Sequence, residues 1–235
     1  MKKLSFLIGR SSRYFILQII FPILLIINYG SLFLSSIIYP NTFSILTHTI
    51  TDLGNPILNP LGWPLFSFAF YTFSLLLIPI AIYLHKNLVK FYRIPTYFGT
   101  GFNILSIIII FLLPMTPNFG KFIPMHYIIG FFSFFLLAFS ITSYWIALVK
   151  YERVTIKKSA LMISLLIIFG SMIGISQTII PLLYNIALFP LFEWFFFIIL
   201  GYELVSISII TPEFHLKFLK NNTSIISDNS INPKS

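Results

Sequence analysis

The stretch His48-Thr49-Ile50-Thr51-Asp52-Leu53-Gly54-Asn55-Pro56 is polar and rich in turn-forming residues, and it lies between two very apolar segments. Asp52 is the first acid in the chain, and no charged residue occurs from Tyr14 to Thr51 or from Leu53 to His85. A helix of about 20 apolar residues is long enough to cross the roughly 30 Å hydrocarbon core of a membrane. The stretch therefore predicts a loop that joins two membrane-spanning helices.

The composition of the whole chain agrees with a membrane protein. Of the 235 residues, 57% are hydrophobic and 9% are charged, whereas soluble domains carry about 25% charged residues. The net charge of +9 comes from basic residues scattered between apolar runs, which favours a role in membrane orientation over nucleic-acid binding. The absence of cysteine excludes disulfides, thiolate metal sites and cysteine nucleophiles.

The apolar runs predict an all-α, polytopic bundle over residues 1–213, followed by a polar cytoplasmic tail over residues 214–235 that we expect to be disordered. Each predicted span is an apolar run bounded by charged or turn-forming residues. The six predicted spans are Tyr14–Ile38, Pro64–Leu84, Tyr97–Leu113, Met125–Val149, Ser159–Leu183 and Ile186–Ile210.

The distribution of basic residues predicts the orientation of these spans. Of the 15 Lys and Arg residues, all except Lys121 fall on one side of the predicted bundle. Because cytoplasmic loops are enriched in Lys and Arg, we expect both termini to be cytoplasmic. Three loops then face outward: Tyr39–Trp63, Pro114–Pro124 and Tyr184–Asn185.

The first outer loop carries two candidate site residues, His48 and Asp52, since polar groups at membrane depth are costly and mark sites. If the segment is a short interfacial helix, their four-residue spacing places both on one face. Gly54 would then adopt the left-handed conformation that ends a helix, and Pro56 would prevent continuation. Alternatively, Asp52 accepts hydrogen bonds from the turn that follows it and His48 lies at headgroup level.

Other spans bring polar residues to the same expected depth. His126 lies at the outer start of the fourth span, as an interfacial residue or a ligand, and Gln177 approaches from the fifth. Glu193 suits a helix N-terminus and Trp194 suits an interface, although Glu193 lies deeper than a cap requires. We therefore predict a candidate outer-face polar site formed by His48, Asp52, Asn55, His126, Gln177 and Glu193.

Glu203 is a different kind of candidate because it lies inside the membrane. Ten residues of helix place it roughly 15 Å deeper than Glu193. A carboxyl group at that depth must be neutral, paired or in contact with a wet cavity. Its expected partners are Asn103, Gln18, Asn28 and Ser or Thr hydroxyl groups. A structural hydrogen bond and a proton relay both remain open.

The loop Thr51–Pro56, directly after His48, resembles the signature of domain-of-unknown-function family 998, whose members are six-span membrane proteins of archaea and bacteria. That family is similar in plan to the FRAG/DRAM/SFK-type superfamily, whose members carry a Ser-Asp-x-Gly loop after the first span, a His at the start of the fourth span and a Glu-Trp pair at the start of the sixth. The matching residues are Asp52, Gly54, His126, Glu193 and Trp194. The resemblance implies six helices in a prokaryotic cell membrane and a lipid-related process, with no assigned activity.

Three functions are compatible with these residues. The first is a non-enzymatic protein whose outer cluster binds a lipid headgroup or a partner, or locks the bundle. The second is a lipid-directed hydrolase or transferase that uses the outer carboxylates, with or without a metal held by His48, Asp52, His126 and Glu193. The third is a proton-coupled transporter that uses Glu203. We favour the first, because no motif assembles a nucleophile, a base and an oxyanion donor. The expected partners are membrane lipids and not nucleic acid. No cofactor or metal is predicted, and the identity of any helix-packing partner is left open.

Overall fold

The computed structural model describes residues 12–116, 118–149, 161–164 and 189–211. Every regular element among these residues is helical, and five helices are long and apolar enough to cross a membrane. These helices are α1 (Arg13–Ile37), α2 (Trp63–Leu88), α3 (Arg93–Leu112), α4 (Ile123–Val149) and α5 (Phe189–Ile210). The prediction of an all-α architecture is confirmed over this part of the chain.

The five helices coincide with five of the six predicted spans. The predicted fifth span, Ser159–Leu183, lies outside the described residues except for residues 161–164, which are helical. Gln177 and the predicted tail over residues 214–235 also lie outside them. The described helices therefore account for five of the six predicted spans.

Two helix ends differ from the prediction by about one turn. α2 continues past the predicted end at Leu84 to Leu88, and this last turn is packed inside the protein, since Asn87 and Leu88 are buried. α3 begins at Arg93 rather than Tyr97, since proline in the first turn of a helix removes no intrahelical hydrogen bond.

Small residues allow α3 and α4 to pack closely. The Ser140 hydroxyl group donates to the Gly99 carbonyl group at 2.7 Å, and a Cβ atom at Gly99 would lie 2.9 Å from the Tyr144 ring. About two turns farther along α3, the Ser106 hydroxyl group donates to the Ser133 carbonyl group at 2.9 Å. Contacts of this kind are typical of helices that associate in membranes, where small residues bring backbones together.

The bundle has two chemically different ends. At the loop end, residues 38–62 join α1 to α2 and residues 113–122 join α3 to α4. At the basic end, Lys86 lies in the last turn of α2 and Arg93 opens α3. The His48–Pro56 stretch lies at the loop end, where α4 and α5 also begin and bring His126 and Glu193.

Candidate functional site

The loop-end site is built on a short turn that Thr49 and Asp52 close reciprocally. The Thr49 amide donates to Asp52 Oδ2 at 2.7 Å, and the Asp52 amide donates to Thr49 Oγ1 at 3.0 Å. This is the capping-box arrangement, in which two residues three apart satisfy each other's backbone amides. The expectation that Asp52 accepts from the turn after it was wrong, because its partner precedes it.

His48 and Asp52 do not share a helix face. The only helix in this stretch is a 3₁₀ turn over Thr51–Gly54, so the four-residue spacing does not bring the two side chains together. Nδ1 of His48 instead lies 2.9 Å from the Thr47 hydroxyl group. The His48 ring stacks on Phe43, with a centroid distance of 5.3 Å. His48 therefore belongs to an aromatic contact beside the site, and the prediction that it shares a helix face with Asp52 was wrong.

Gly54 is required by space and not by a left-handed backbone. Among the described glycines, only Gly120 has a positive φ angle, so the predicted left-handed conformation of Gly54 was wrong. A Cβ atom at Gly54 would lie 2.5 Å from the Phe66 ring, well inside van der Waals contact. The absence of a side chain at Gly54 thus lets the turn pack directly on α2.

Asn55 ends the turn and connects it to the second loop. Its Oδ1 accepts hydrogen bonds from the amides of Ile57 and Leu58 at 2.9 and 3.1 Å, which is an Asx turn. Its Nδ2 donates to the Asn118 carbonyl group at 2.5 Å. Asn55 has extended backbone angles, as expected of the residue before Pro56.

The loop is also tied to α1 through Asn59, which the sequence did not single out. The buried Asn59 amide group donates to Ser35 Oγ at 3.0 Å and to the Leu53 carbonyl group at 3.1 Å. Ser35 Oγ in turn donates to the Gly62 carbonyl group at 2.9 Å. These bonds fold the loop down onto the ends of α1 and α2.

Two neighbouring residues of α5 hold the same loop from the other side. The Ile50 amide donates to Glu193 Oε2 at 3.1 Å, and Trp194 Nε1–H donates to the His48 carbonyl group at 3.1 Å. Ile50 is fully buried, and Glu193 is 9% exposed. Glu193 therefore does more than favour the start of a helix, because its carboxyl group satisfies a buried backbone donor 143 residues away.

His126 presents a buried nitrogen toward this site. Its Nδ1 is bonded to the Thr116 carbonyl group, and since a carbonyl oxygen can only accept, Nδ1 must carry the proton. The neutral ring then has its lone pair on Nε2. That atom is buried, the residue is 1% exposed, and Nε2 has no hydrogen-bond partner in the described part of the chain. A buried acceptor in this state is free to receive a donor from a ligand.

Tyr127 and Asn118 lie beside the turn, although neither was predicted from the sequence. The Tyr127 hydroxyl group lies near the side chains of Thr51 and Asn118, and Asn118 Nδ2 donates to the Thr51 carbonyl group at 3.3 Å. Tyr127 directly follows His126 in the sequence, so its position was a usable signal. Asn118 gave none, because its role depends on how the second loop folds.

The Asp52 carboxyl group is the common neighbour of these side chains. It acts electrostatically on His126, Tyr127 and Glu193. At the edge of the site, burial and the Asp52 carboxylate raise the pKa of Tyr39 above its ordinary value. We call Asp52, His126, Tyr127 and Glu193 the loop-end cluster. Of the predicted set, Asn55 borders this cluster, His48 lies beside it and Gln177 falls outside the described residues.

Glu203 has a different partner from those expected. The Trp145 Nε1–H group donates to Glu203 Oε2 at 2.9 Å, whereas Asn28 donates to the Ala69 carbonyl group and Gln18 is exposed. The expected Glu203 partners were therefore wrong. Glu203 is fully buried, and its Oε1 has no hydrogen-bond partner within the described ranges.

The described residues contain no group of three or more His, Asp or Glu side chains placed to hold a metal ion. The loop-end cluster offers a single imidazole acceptor, two carboxyl groups and a phenol. This set is suited to accepting hydrogen bonds and to attracting a positive charge.

The chain matches no family model, no curated protein and no solved structure. The resemblance to family 998 therefore stays a prediction.

Proposed function

We propose that the chain is a six-span integral membrane protein with cytoplasmic termini. A sixth span is supported by the ends of the flanking helices, because α4 ends at the basic end with Val149 and α5 begins at the loop end with Phe189. At about 20 residues per span, the 39 residues from 150 to 188 have room for one crossing. The excess of Lys and Arg at the basic end supports a cytoplasmic location for that end.

The proposed function of the loop-end cluster is to bind the headgroup of an outer-leaflet lipid that carries N–H donors. The observation that carries this proposal is the buried Nε2 atom of His126, which has a lone pair and no partner in the described chain. A buried polar atom without a partner costs about 1–3 kcal/mol. A ligand donor that reached this atom would recover that cost.

The charges of the cluster favour an ammonium group over a phosphate group. Asp52 is the acid of this loop, and the single basic residue expected on this side is Lys121, whose ammonium group lies 5.5 Å from the centre of the Phe122 ring. Carboxylates repel an anionic phosphate and attract a primary ammonium ion. A lipid such as phosphatidylethanolamine therefore suits the cluster, with its ammonium group donating to His126.

The bonds that tie the first loop to α5 also stabilise the helix bundle. The bonds from α5 to the loop, through Glu193 and Trp194, hold His48 and Ile50 of the loop against the start of α5. Locking the bundle and binding a headgroup are therefore compatible roles of the same residues. A role as a metal-dependent lipid hydrolase is less favoured, because the described residues do not group three ligands.

A comparison of two lipids tests the proposal. Phosphatidylethanolamine and phosphatidylcholine carry the same phosphate, but the trimethylated choline has no N–H donor. We expect purified, delipidated protein to bind phosphatidylethanolamine more tightly, and His126→Phe to abolish that preference without preventing folding. Tyr71→Phe, a change on α2 outside the cluster, is the matched control. Equal binding of both lipids by the wild-type protein would refute the proposal.

Glu203 supports a second candidate function, proton-coupled transport. Its fully buried Oε1 has no described partner, and an acid in this position is a functional candidate by default. Glu203→Gln preserves the acceptor for Trp145 and removes the titratable group. If transport is the function, the variant loses proton-coupled uptake while retaining the wild-type fold. If uptake by wild type and variant is the same, Glu203 has a structural role only.

A further inference from the structure

A groove of 580 Å³ runs between α2 and α3 toward the basic end of the bundle, far from the loop-end cluster. Its walls are aliphatic, and the part of the groove nearest the basic end of the bundle is polar. The residues that define it are Ile78, Ile82, His85 and Lys86 of α2 and Ile104 and Ile108 of α3. The groove is therefore apolar along most of its length and ends at the His85 imidazole and the Lys86 ammonium group.

The height of the groove corresponds to most of one membrane leaflet. From Ile78 to Lys86 the helix rises roughly 12 Å at about 1.5 Å per residue. Half of a hydrocarbon core of about 30 Å is roughly 15 Å. A lipid acyl chain that lies along the groove would contact aliphatic side chains over nearly its full depth in one leaflet.

The polar end of the groove is ordered by hydrogen bonds. His85 Nδ1 lies 2.8 Å from Thr100 Oγ1, which donates to the Thr96 carbonyl group at 2.8 Å. Because the Thr100 proton is used in that bond, Thr100 accepts from His85 Nδ1–H. The Tyr144 hydroxyl group lies 3.2 Å from the same oxygen. The His85 ring is thus held in one orientation at the groove.

The charge of this end is positive. Lys86 and Arg93 are exposed at the basic end, with Lys90 in the turn between them, and the sequence has no Asp or Glu from Leu53 to Tyr151. The two helices that form the groove therefore contribute only positive charge to its mouth. Basic residues near a membrane surface attract anionic lipid headgroups.

We propose that this groove binds one phospholipid of the cytoplasmic leaflet that has an anionic headgroup. Its phosphate lies against Lys86 and His85, and one acyl chain lies between Ile78, Ile82 and the isoleucines of α3. The site differs from the loop-end cluster in leaflet, in headgroup charge and in the residues used. Loss of either site leaves the other intact.

Native mass spectrometry of the delipidated full-length protein tests this site. The protein is titrated with phosphatidylglycerol and with phosphatidylcholine of the same acyl chains. We expect tighter binding of phosphatidylglycerol, and we expect Lys86→Gln to weaken it about fivefold. Lys121→Gln, at the other end of the bundle, is the matched control and leaves it unchanged.

A second pair of variants tests the apolar part of the groove. In Ile104→Trp the larger side chain fills the groove and excludes the acyl chain. Each acyl methylene group that is no longer buried in the groove should weaken the binding of both lipids about fourfold. Ile26→Trp places the same side chain on α1, where Ile26 is 73% exposed, and serves as the control. The proposal is overturned if Lys86→Gln and Lys121→Gln have equal effects on phosphatidylglycerol binding. It is also overturned if Ile104→Trp binds lipid as well as Ile26→Trp, since that indicates non-specific annular contact or a groove filled by the protein itself.

Discussion

Removal of the Glu193 carboxyl group is expected to open the first loop. Glu193→Leu leaves the Ile50 amide, which belongs to a residue with no exposed surface, without its acceptor. The loss of a buried partner costs about 1–3 kcal/mol, which is large against a total stability of about 5–15 kcal/mol. Glu193→Gln keeps a carbonyl oxygen for the same amide, so its cost should be near the lower limit.

Hydrogen exchange of the turn measures this effect. The amides of Asp52 and Leu53 bond within the turn, at 3.0 Å to Thr49 Oγ1 and 3.2 Å to the Ile50 carbonyl group. A loss of about 1–3 kcal/mol in local stability corresponds to roughly 5- to 150-fold faster exchange of these amides. Their exchange in Glu193→Gln should lie between those of the wild type and Glu193→Leu.

Two further variants show whether the effect belongs to the contact. Tyr202→Phe changes an exposed residue of the same helix and should leave exchange in the turn unchanged. Trp194→Phe removes the donor to the His48 carbonyl group, and its effect should be coupled to that of Glu193→Leu, because both bonds hold one loop. Wild-type exchange rates in Glu193→Leu would refute the view that α5 holds the loop.

Three other predictions follow from the same structure. Gly54→Ala places a Cβ atom 2.5 Å from an aromatic carbon of α2 and should destabilise the folded protein by about 1–3 kcal/mol. In the control variant Gly101→Ala the new Cβ atom meets nothing within 4 Å, so thermal unfolding in detergent should show no such loss of stability. Because the pKa of Tyr39 is raised in the folded protein, the neutral phenol stabilises the fold below about pH 10, and this stabilisation is lost as the pH rises further. Above that pH, the melting temperature of Tyr39→Phe should therefore fall less steeply than that of the wild type. In intact cells, a membrane-impermeant thiol reagent should label Leu46→Cys and not Lys90→Cys; the reverse pattern would contradict the orientation.

The sequence predicted the described spans well because burial in a membrane depends mainly on the length of apolar runs. The end of α2 was misplaced, since its last turn, with Asn87 and Leu88, is buried by packing that the length of an apolar run does not reveal. The fold of the first loop was predicted less well. Its Thr49-x-x-Asp52 spacing is a capping-box signal, and a search for that pattern would have identified the correct partner of Asp52.

The contacts between helices could not be read from the sequence at all. The depth of Glu203 followed from helix geometry, but its bond to Trp145, 58 residues away, depends on which faces of α4 and α5 meet. The bond from Ile50 to Glu193 likewise joins residues 143 positions apart. Residue type and depth therefore predicted which polar groups were candidates, and helix packing decided which of them met.

The imidazole nitrogens of His126 give the most direct test of headgroup binding. ¹⁵N spectra of histidine-labelled protein, assigned by comparison with His126→Gln, can be recorded in bilayers of phosphatidylcholine and again with phosphatidylethanolamine. In phosphatidylcholine, we expect Nδ1 to be protonated and Nε2 to have the shift of a nitrogen with a free lone pair. Phosphatidylethanolamine should move the Nε2 resonance in the direction of a hydrogen-bonded acceptor, and Asp52→Asn should reduce that change. An Nε2 resonance that is the same in both lipids would contradict the account.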